Sequence, residues 1–226
     1  FISLAAAESF RKVAGIEAYG YEAYDYYLEK PALSDSVMVI LFSSSGKSLY
    51  VLKSLEYVKE AGGIAVGITN HADSPLGTGS DEVLLTDSIG VSRTFPTKTT
   101  TSSLAILYEL AFAFGISKQA APEAELRTLQ EEIKKKVPEM IRKICTEEKE
   151  KIRACAQSFL EARCYTFVGS GPARSSAMIG AAKIVETSRG HVTFCNAEEY
   201  MHLHGFSVKS PDAVIVIGNN ISDHRE

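Results

Sequence analysis

The sequence predicts an α/β protein in which parallel sheets are covered by helices, with one pattern occurring twice along the chain. Three observations predict it. Six short apolar runs rich in Val and Ile, residues 37–42, 64–69, 82–85, 165–168, 192–195 and 213–217, alternate with segments of helical periodicity. Runs that are apolar almost without interruption suit strands buried on both faces, as parallel strands between helical layers are. Hydroxyl- or glycine-rich turns follow several of these runs and open helices, and a stretch near the N-terminus recurs in outline near the C-terminus. At 226 residues, 45% hydrophobic and 23% charged, the chain is long enough for one large domain or two small ones.

Taken in order, the chain begins inside an amphipathic helix at Phe1 and reaches its first strand at residues 37–42. The helix after Gly46 sets Val51, Leu52, Leu55 and Val58 on one face and Lys53, Glu56, Lys59 and Glu60 on the other, the cover such a sheet needs. Strands at 64–69 and 82–85 follow, then a long apolar helix opening near Thr97. Its most apolar part, residues 104–116, is too short to cross a bilayer and carries Glu109, so a core helix is expected. Residues 118–162 place Leu126, Leu129, Ile133, Ile141, Ile144, Ile152, Cys155 and Phe159 at helical spacing amid dense charge, with Pro138 as a break. One or two connecting helices are expected there, and charge runs such as EEIKKK are read as solvated faces. The expected division is residues 1–117, a connector 118–162, and residues 163–226.

The repeat compares FRKVAGIEAYGYEAYDYYLEKPALSDSVMVIL with IVETSRGHVTFCNAEEYMHLHGFSVKSPDAVIVI. Both run helix, Gly, short strand, acidic-aromatic segment, Asp, apolar strand. The second copy is preceded by a strand and a Gly-rich turn, CYTFVGSGPARSS, that the first lacks, so about a dozen residues are expected to be missing before Phe1. The second copy also stops soon after its last strand. The chain is therefore read as a fragment.

The net charge of −4, with Lys and Arg scattered among Asp and Glu, offers no basic stripe for nucleic acid or an acidic membrane. A small or anionic partner is expected. Cys145, Cys155, Cys164 and Cys195 show no zinc-finger or CxxC spacing and are read as reduced, buried thiols of a cytosolic protein, with no signal-peptide pattern at the start.

Two loops carry the chemistry. SSSGKS, from Ser43 to Ser48, ends a strand and opens a helix, but a nucleotide P-loop would need Gly where Leu41 stands, and EVLLTD, ending at Asp87, is a poor second acidic strand. Backbone N–H groups at the helix start, with the hydroxyls of Ser43, Ser45 and Ser48, suit one phosphate monoester instead. TFPTKTTTSSLAILYELA offers Thr97, Lys98 and Thr99 at a second helix start. The plain alternative for both turns is helix capping, which Ser and Thr do well.

SSSGKS, TKTTTSSLAILYELA and GSGPARSSAMIGAAKIVE together resemble the double sugar isomerase (SIS) domain family, which includes the isomerase half of glucosamine-6-phosphate synthase and the fructosamine-6-phosphate deglycases. The resemblance covers nearly the whole chain and implies two flavodoxin-like subdomains, each a parallel sheet covered by helices. It implies that Ser43, Ser45, Gly46 and Ser48, with Thr97 and Lys98, hold the substrate phosphate; Pro96 stands where the family commonly has Ser. It also implies a homodimer in which a histidine crosses from a neighbouring subunit. The family's Glu-x-x-His-Gly segment matches Glu199-Tyr200-Met201-His202-Leu203, with the Gly replaced and His204-Gly205 following.

On these grounds the expected activity is proton transfer between C1 and C2 of a ketose or amino-sugar 6-phosphate through an enediol-type intermediate, by an isomerase, a synthase or a deglycase. Glu199 would be the base, and His202 or His204 would assist ring opening. The plain reading of Glu199 is a capping box, with Asn196 at the N-cap and Glu199 three residues on. In the repeat, Glu199 falls opposite Ala23 and Glu198 opposite Glu22, which makes Glu199 the carboxylate special to the second copy. No metal or other cofactor is expected, since Glu199, His202 and His204 form a weak ligand set. The alternative function is a non-catalytic phosphosugar sensor.

Overall fold

The computed structural model describes residues 1–86, 95 and 97–218. Contacts divide the chain into two compact units, Ile2–Ala120 and Ala121–Glu226 with Phe1. All six expected strands form, and they make two three-stranded parallel sheets.

The first unit runs α1 (Ile2–Ala14), α2 (Ala23–Glu29), β1 (Met38–Phe42), α3 (Leu49–Glu60), β2 (Ile64–Thr69), α4 (Pro75–Gly79), β3 (Glu82–Leu85) and α5 (Lys98–Ser117). Its sheet has the order β1-β2-β3, with Met38 opposite Ile64 and Val66 opposite Glu82. Side chains alternate along each strand, so each face has its own core. Val39, Leu41 and Ala65 meet Val51, Leu55 and Val58 of α3, while Met38, Ile40, Phe42 and Ile68 meet Ala6 and Phe10 of α1 and Leu107 and Ala111 of α5. That double cover is what near-continuous apolar strands require.

At 20 residues, α5 extends well beyond the apolar segment 104–116 and is long and apolar enough to cross a membrane by length and composition. The extension comes from Thr99 to Ser103, which take helical positions; the Thr101 hydroxyl donates to the carbonyls of Thr97 and Lys98 at 3.2 and 3.0 Å. Thr99, Ser103, Leu107 and Ala111 are buried at four-residue spacing on the face turned to α1, as in a core helix. The short strand expected after Gly15 in the first copy of the repeat does not form: residues 15–22 are neither helix nor strand. In the second unit the matching strand bonds to a strand that precedes its helix, and among the described residues no strand precedes α1.

The second unit runs α6 (Glu123–Glu147), α7 (Lys149–Ser158), β4 (Cys164–Gly169), α8 (Pro172–Ser188), β5 (His191–Cys195), α9 (Ala197–His202), a 3₁₀ turn (His204–Ser207) and β6 (Ala213–Ile217). Its sheet has the order β5-β4-β6. Phe167 of β4 lies on Ala177 and Ala181 of α8, and Gly180 admits that ring because a Cβ there would come within 2.6 Å of it. On the strand surface away from this cluster, Val216 is 70% exposed. The Asp212 carboxylate accepts from the Lys209 N–H and from Arg163, each at 2.9 Å; these bonds hold its pKa below the usual value and tie the start of β6 to the start of β4.

Two expectations are corrected here. Pro138 does not break the connector: α6 runs through it and the interruption falls at Glu148. A mid-helix proline costs about 3 kcal/mol, but the neighbouring turns are good helix formers tied by Glu132–Lys136 and Lys143–Glu147 pairs. The thiols are free, but only Cys195 is buried; Cys145 and Cys155 are exposed because they lie on the solvated sides of α6 and α7. In the native protein, therefore, a thiol reagent should modify Cys145 and Cys155 at least about tenfold faster than Cys195, whose thiol is also raised in pKa by burial. Peptide mass spectrometry over a labelling time course measures this, and equal rates at Cys195 and Cys145 would contradict the assigned packing.

Candidate functional site

The SSSGKS turn follows β1 at its carboxyl end, the side of a parallel sheet where ligands bind in open α/β folds. The Ser43 N–H donates to the Ile68 carbonyl at 3.0 Å, and the buried Ser43 hydroxyl meets that of Ser48 at 2.8 Å. The Gly46 N–H closes the turn on the Ser43 carbonyl at 2.9 Å. The Ser45 hydroxyl accepts from the Lys47 N–H at 3.2 Å, and Ser45, Lys47 and Ser48 are exposed. Ser43, Ser45, Gly46 and Ser48 are thus brought together in one turn.

Gly46 is required there twice over. Its φ is +64°, in the left-handed region, and a Cβ would lie 1.9 Å from the Ser74 hydroxyl and 3.0 Å from that of Thr69. These neighbours belong to a second turn, after β2, that sequence reasoning missed. The Asn70 N–H donates to the Ser44 carbonyl at 3.1 Å, the Leu76 N–H to the Gly46 carbonyl at 3.1 Å, and the Thr69 hydroxyl to the Ser44 carbonyl at 3.3 Å. Asn70 is itself bonded to the Thr86 hydroxyl at the end of β3. The signal was present in TNHADSP, a run of turn formers at a strand end.

Capping, the plain alternative for the serine turn, is not what its side chains do. Ser48 occupies the N-cap of α3 and makes no side-chain cap bond. Thr97, exposed at the N-cap of α5 with exposed Lys98 next to it, makes none either. Elsewhere Ser74 caps α4, Glu22 caps α2 and Asn196 caps α9. The amides opening α3 and α5 therefore receive no N-cap side chain, and together with the helix dipole they favour an anion. Pro96 and Asp87 lie outside the described residues.

In the second unit, the Gly171 turn after β4 opens α8 without a side-chain cap, and the Ser170 hydroxyl accepts from the Ala197 N–H at 2.9 Å. This bond draws the α9 start to the carboxyl end of β4, the central strand of the sheet. Glu199 forms the expected capping box: its Oε2 accepts from the Asn196 N–H, and Asn196 Oδ1 accepts from the Glu199 N–H, both at 2.8 Å. Its negative charge adds to burial in raising the Cys195 pKa. His202 Nε2 lies 3.2 Å from the Glu198 carboxylate, not Glu199, and His204 is half-buried in the 3₁₀ turn. Among the described residues no group of three His, Cys, Asp or Glu is placed to hold a metal ion.

Matching the two units by their N-caps corrects the repeat comparison. Glu22 and Asn196 hold the same position, so Glu199 falls opposite Asp25 and Glu198 opposite Tyr24. An acid three residues after the cap is therefore common to both copies.

Parallel sheets whose carboxyl-end turns open into helices, capped by a side chain at α4 and α9 and uncapped at α3, α5 and α8, define an α/β protein with its candidate site at the strand ends. Residues 1–113 match the SIS domain model, and the chain belongs to the SIS domain family. It is 28% identical over 196 residues to the glutamine–fructose-6-phosphate aminotransferase (isomerizing) of Methanosarcina acetivorans, covering 85% of this chain and 31% of that protein. The Xylella fastidiosa enzyme of the same name is 28% identical over 226 residues, 98% of this chain and 36% of that one. The chain thus spans about a third of these relatives. Among solved structures, the C-terminal domain of glucosamine-fructose-6-phosphate aminotransferase from Francisella tularensis shares the fold with a TM-score of 0.90 at 20% identity, over 98% of this chain and 62% of that one. Glucosamine-6-phosphate deaminase from Thermotoga maritima does so with a TM-score of 0.77 at 22% identity, over 99% and 66%.

The turn's geometry is tested by replacing two glycines of like backbone and unlike surroundings. Gly62, with φ +76° and nothing within 4 Å of a built Cβ, should tolerate Ala for about 1–2 kcal/mol, the left-handed cost alone. Gly46→Ala should cost visibly more in chemical denaturation, since Ser74 must also move. Equal losses would show that the close approach is not a constraint.

Proposed function

We propose that this chain binds a hexose 6-phosphate or its 2-amino derivative and, as part of an enzyme, moves a proton between C1 and C2. The observation that carries the binding half is the serine turn: convergent hydroxyls and helix-start amides with no N-cap side chain, shaped by Gly46. The relatives supply the substrate class, for both aminotransferases above are named for fructose 6-phosphate. In this reading Ser43, Ser45, Gly46 and Ser48 hold the phosphate with help from Thr97 and Lys98. The turn is too tight for a triphosphate.

For the proton transfer we assign Glu199 as base, on its Glu-x-x-His spacing and its place beside the end of the central strand. The cap engages Oε2, which leaves Oε1 for chemistry and fixes the side chain, as a positioned base needs. His202 or His204 would assist ring opening. Residues 163–226 would form the second subdomain and 118–162 the connector, in a cytoplasmic homodimer. Isomerase, synthase and deglycase chemistry share the enediol step. One observation favours the sensor: the Glu199 carboxylate already has a structural role in the capping box.

Calorimetric titration with fructose 6-phosphate and glucosamine 6-phosphate should show binding that Ser45→Ala weakens by about 5- to 150-fold, the worth of one or two hydrogen bonds to a charged group, with no magnesium-dependent ATP binding in either form. Tight ATP binding would overturn the phosphosugar reading. The catalytic half is read separately, by NMR detection of deuterium entering C1 or C2 of the bound sugar. Glu199→Gln keeps a capping box and should still bind, but it should lose exchange by about 10²- to 10⁴-fold, while Glu198→Gln stays within about tenfold of normal. Binding without exchange in the unaltered protein would establish the sensor.

A further inference from the structure

We infer that His71 is a further phosphate contact beside the serine turn, one whose charged imidazole strengthens the binding of a sugar phosphate as pH falls. β2 is the central strand of its sheet, so the turn after it stands between the ends of β1 and β3. His71 is the second residue past β2 and the only histidine in residues 2–120. Its backbone is fully engaged. The N–H donates to the Thr69 hydroxyl at 3.3 Å, and the carbonyl accepts from the Ser74 N–H at 3.1 Å and from the Ser74 hydroxyl at 2.6 Å. Both partners reach the serine turn, for the Thr69 hydroxyl donates to the Ser44 carbonyl and Ser74 lies against Gly46. His71 is thus held in a fixed place relative to the proposed phosphate donors.

Its side chain is treated the other way. The residue is exposed, and among the described residues its imidazole has no hydrogen-bond or ion-pair partner. Nor does the turn call for histidine: any residue with an N–H makes the same backbone bonds, and the usual turn formers are Gly, Pro, Asn, Asp and Ser. What a histidine adds is a positive charge that appears as pH falls from about 8 to 5. That charge arises at a sheet end where neutral hydroxyls and amides already favour an anion. Few other charges lie on the elements packed against this turn. The serine turn brings exposed Lys47, the His71 turn itself exposed Asp73, and α4 none; Asp87, after β3, lies outside the described residues. Ammonium and carboxylate groups ordinarily keep their charge where an imidazole titrates, so a pH dependence seated in these turns is assigned to His71. A bound phosphate favours the charged ring, and by linkage the charged ring favours the bound phosphate by the same factor.

This contact rests on the phosphate reading of the serine turn, and the experiment separates the two. Fructose 6-phosphate is titrated calorimetrically into the full chain and its His71→Gln variant at about pH 5.5 and 8.5, with circular dichroism as the folding control. The ratio of the two dissociation constants at each pH cancels the ester's own ionisation near pH 6 or so. That ratio should rise from about one at the higher pH to about 3- to 10-fold at the lower, the worth of one exposed charged contact. Proton NMR of the His71 ring, assigned by its loss in the variant, should show its titration midpoint moving up by about 0.5–1 pH unit in saturating fructose 6-phosphate, the same coupling read from the protein. A ratio equal at both pH values, or a midpoint that saturating sugar phosphate leaves unmoved, would overturn the His71 contact while the phosphate site stands. Absence of binding by the unaltered chain at both pH values would overturn the phosphate reading and this contact with it.

Discussion

The first unit depends on how closely the Gly46 backbone approaches the turn after β2. No side chain fits between Gly46 and Ser74, so the two turns behave as one body. Its internal bonds run from Ser44 and Gly46 to Asn70, Thr69 and Leu76, and onward from Asn70 to Thr86. Three strand ends are thereby fixed relative to one another. A site held this way needs little reorganisation to receive an anion, which is how a few modest hydrogen bonds can give useful affinity.

That rigidity explains the division of labour among the hydroxyls. Ser74 caps α4 through the Gly77 N–H and also donates to the His71 carbonyl at 2.6 Å, so it is committed to the scaffold. The Ser43 and Ser48 hydroxyls face each other within the turn, and neither caps α3. A serine that could cap a helix for about 1 kcal/mol and does not is held by something else, here the left-handed turn that directs it toward Ser43. The second unit makes the opposite choice at α9, where Asn196 and Glu199 satisfy each other. One oxygen of the Glu199 carboxylate is thereby committed to the scaffold.

Much of the architecture was legible in the residues. The strands were found because each is a short apolar run bounded by turn formers, and the covering helix α3 because its charges fall on one face. The serine turn was legible as a motif and the capping box as a spacing. The supporting turn at Asn70–Ser74 was passed over because its residues look like an ordinary loop; only their contacts with Gly46 give them a role. Pro138 misled because a single residue's propensity was weighed against a helix whose exposed turns are held by ion pairs. The thiols misled because apolar character does not say which helical face meets a core, and α6 and α7 bury almost nothing.

The sequence by itself determined the class of fold, the strand positions and the identity of the phosphate-binding candidates, because periodicity and turn chemistry are local properties that a chain carries with it. Tertiary structure decided which hydroxyls cap and which stay available, which carboxylate meets which histidine, and which positions correspond between the two units. Those outcomes turn on ångström distances between residues far apart in the chain, such as Gly46 with Ser74 and Ser170 with Ala197, and no spacing along the sequence encodes them.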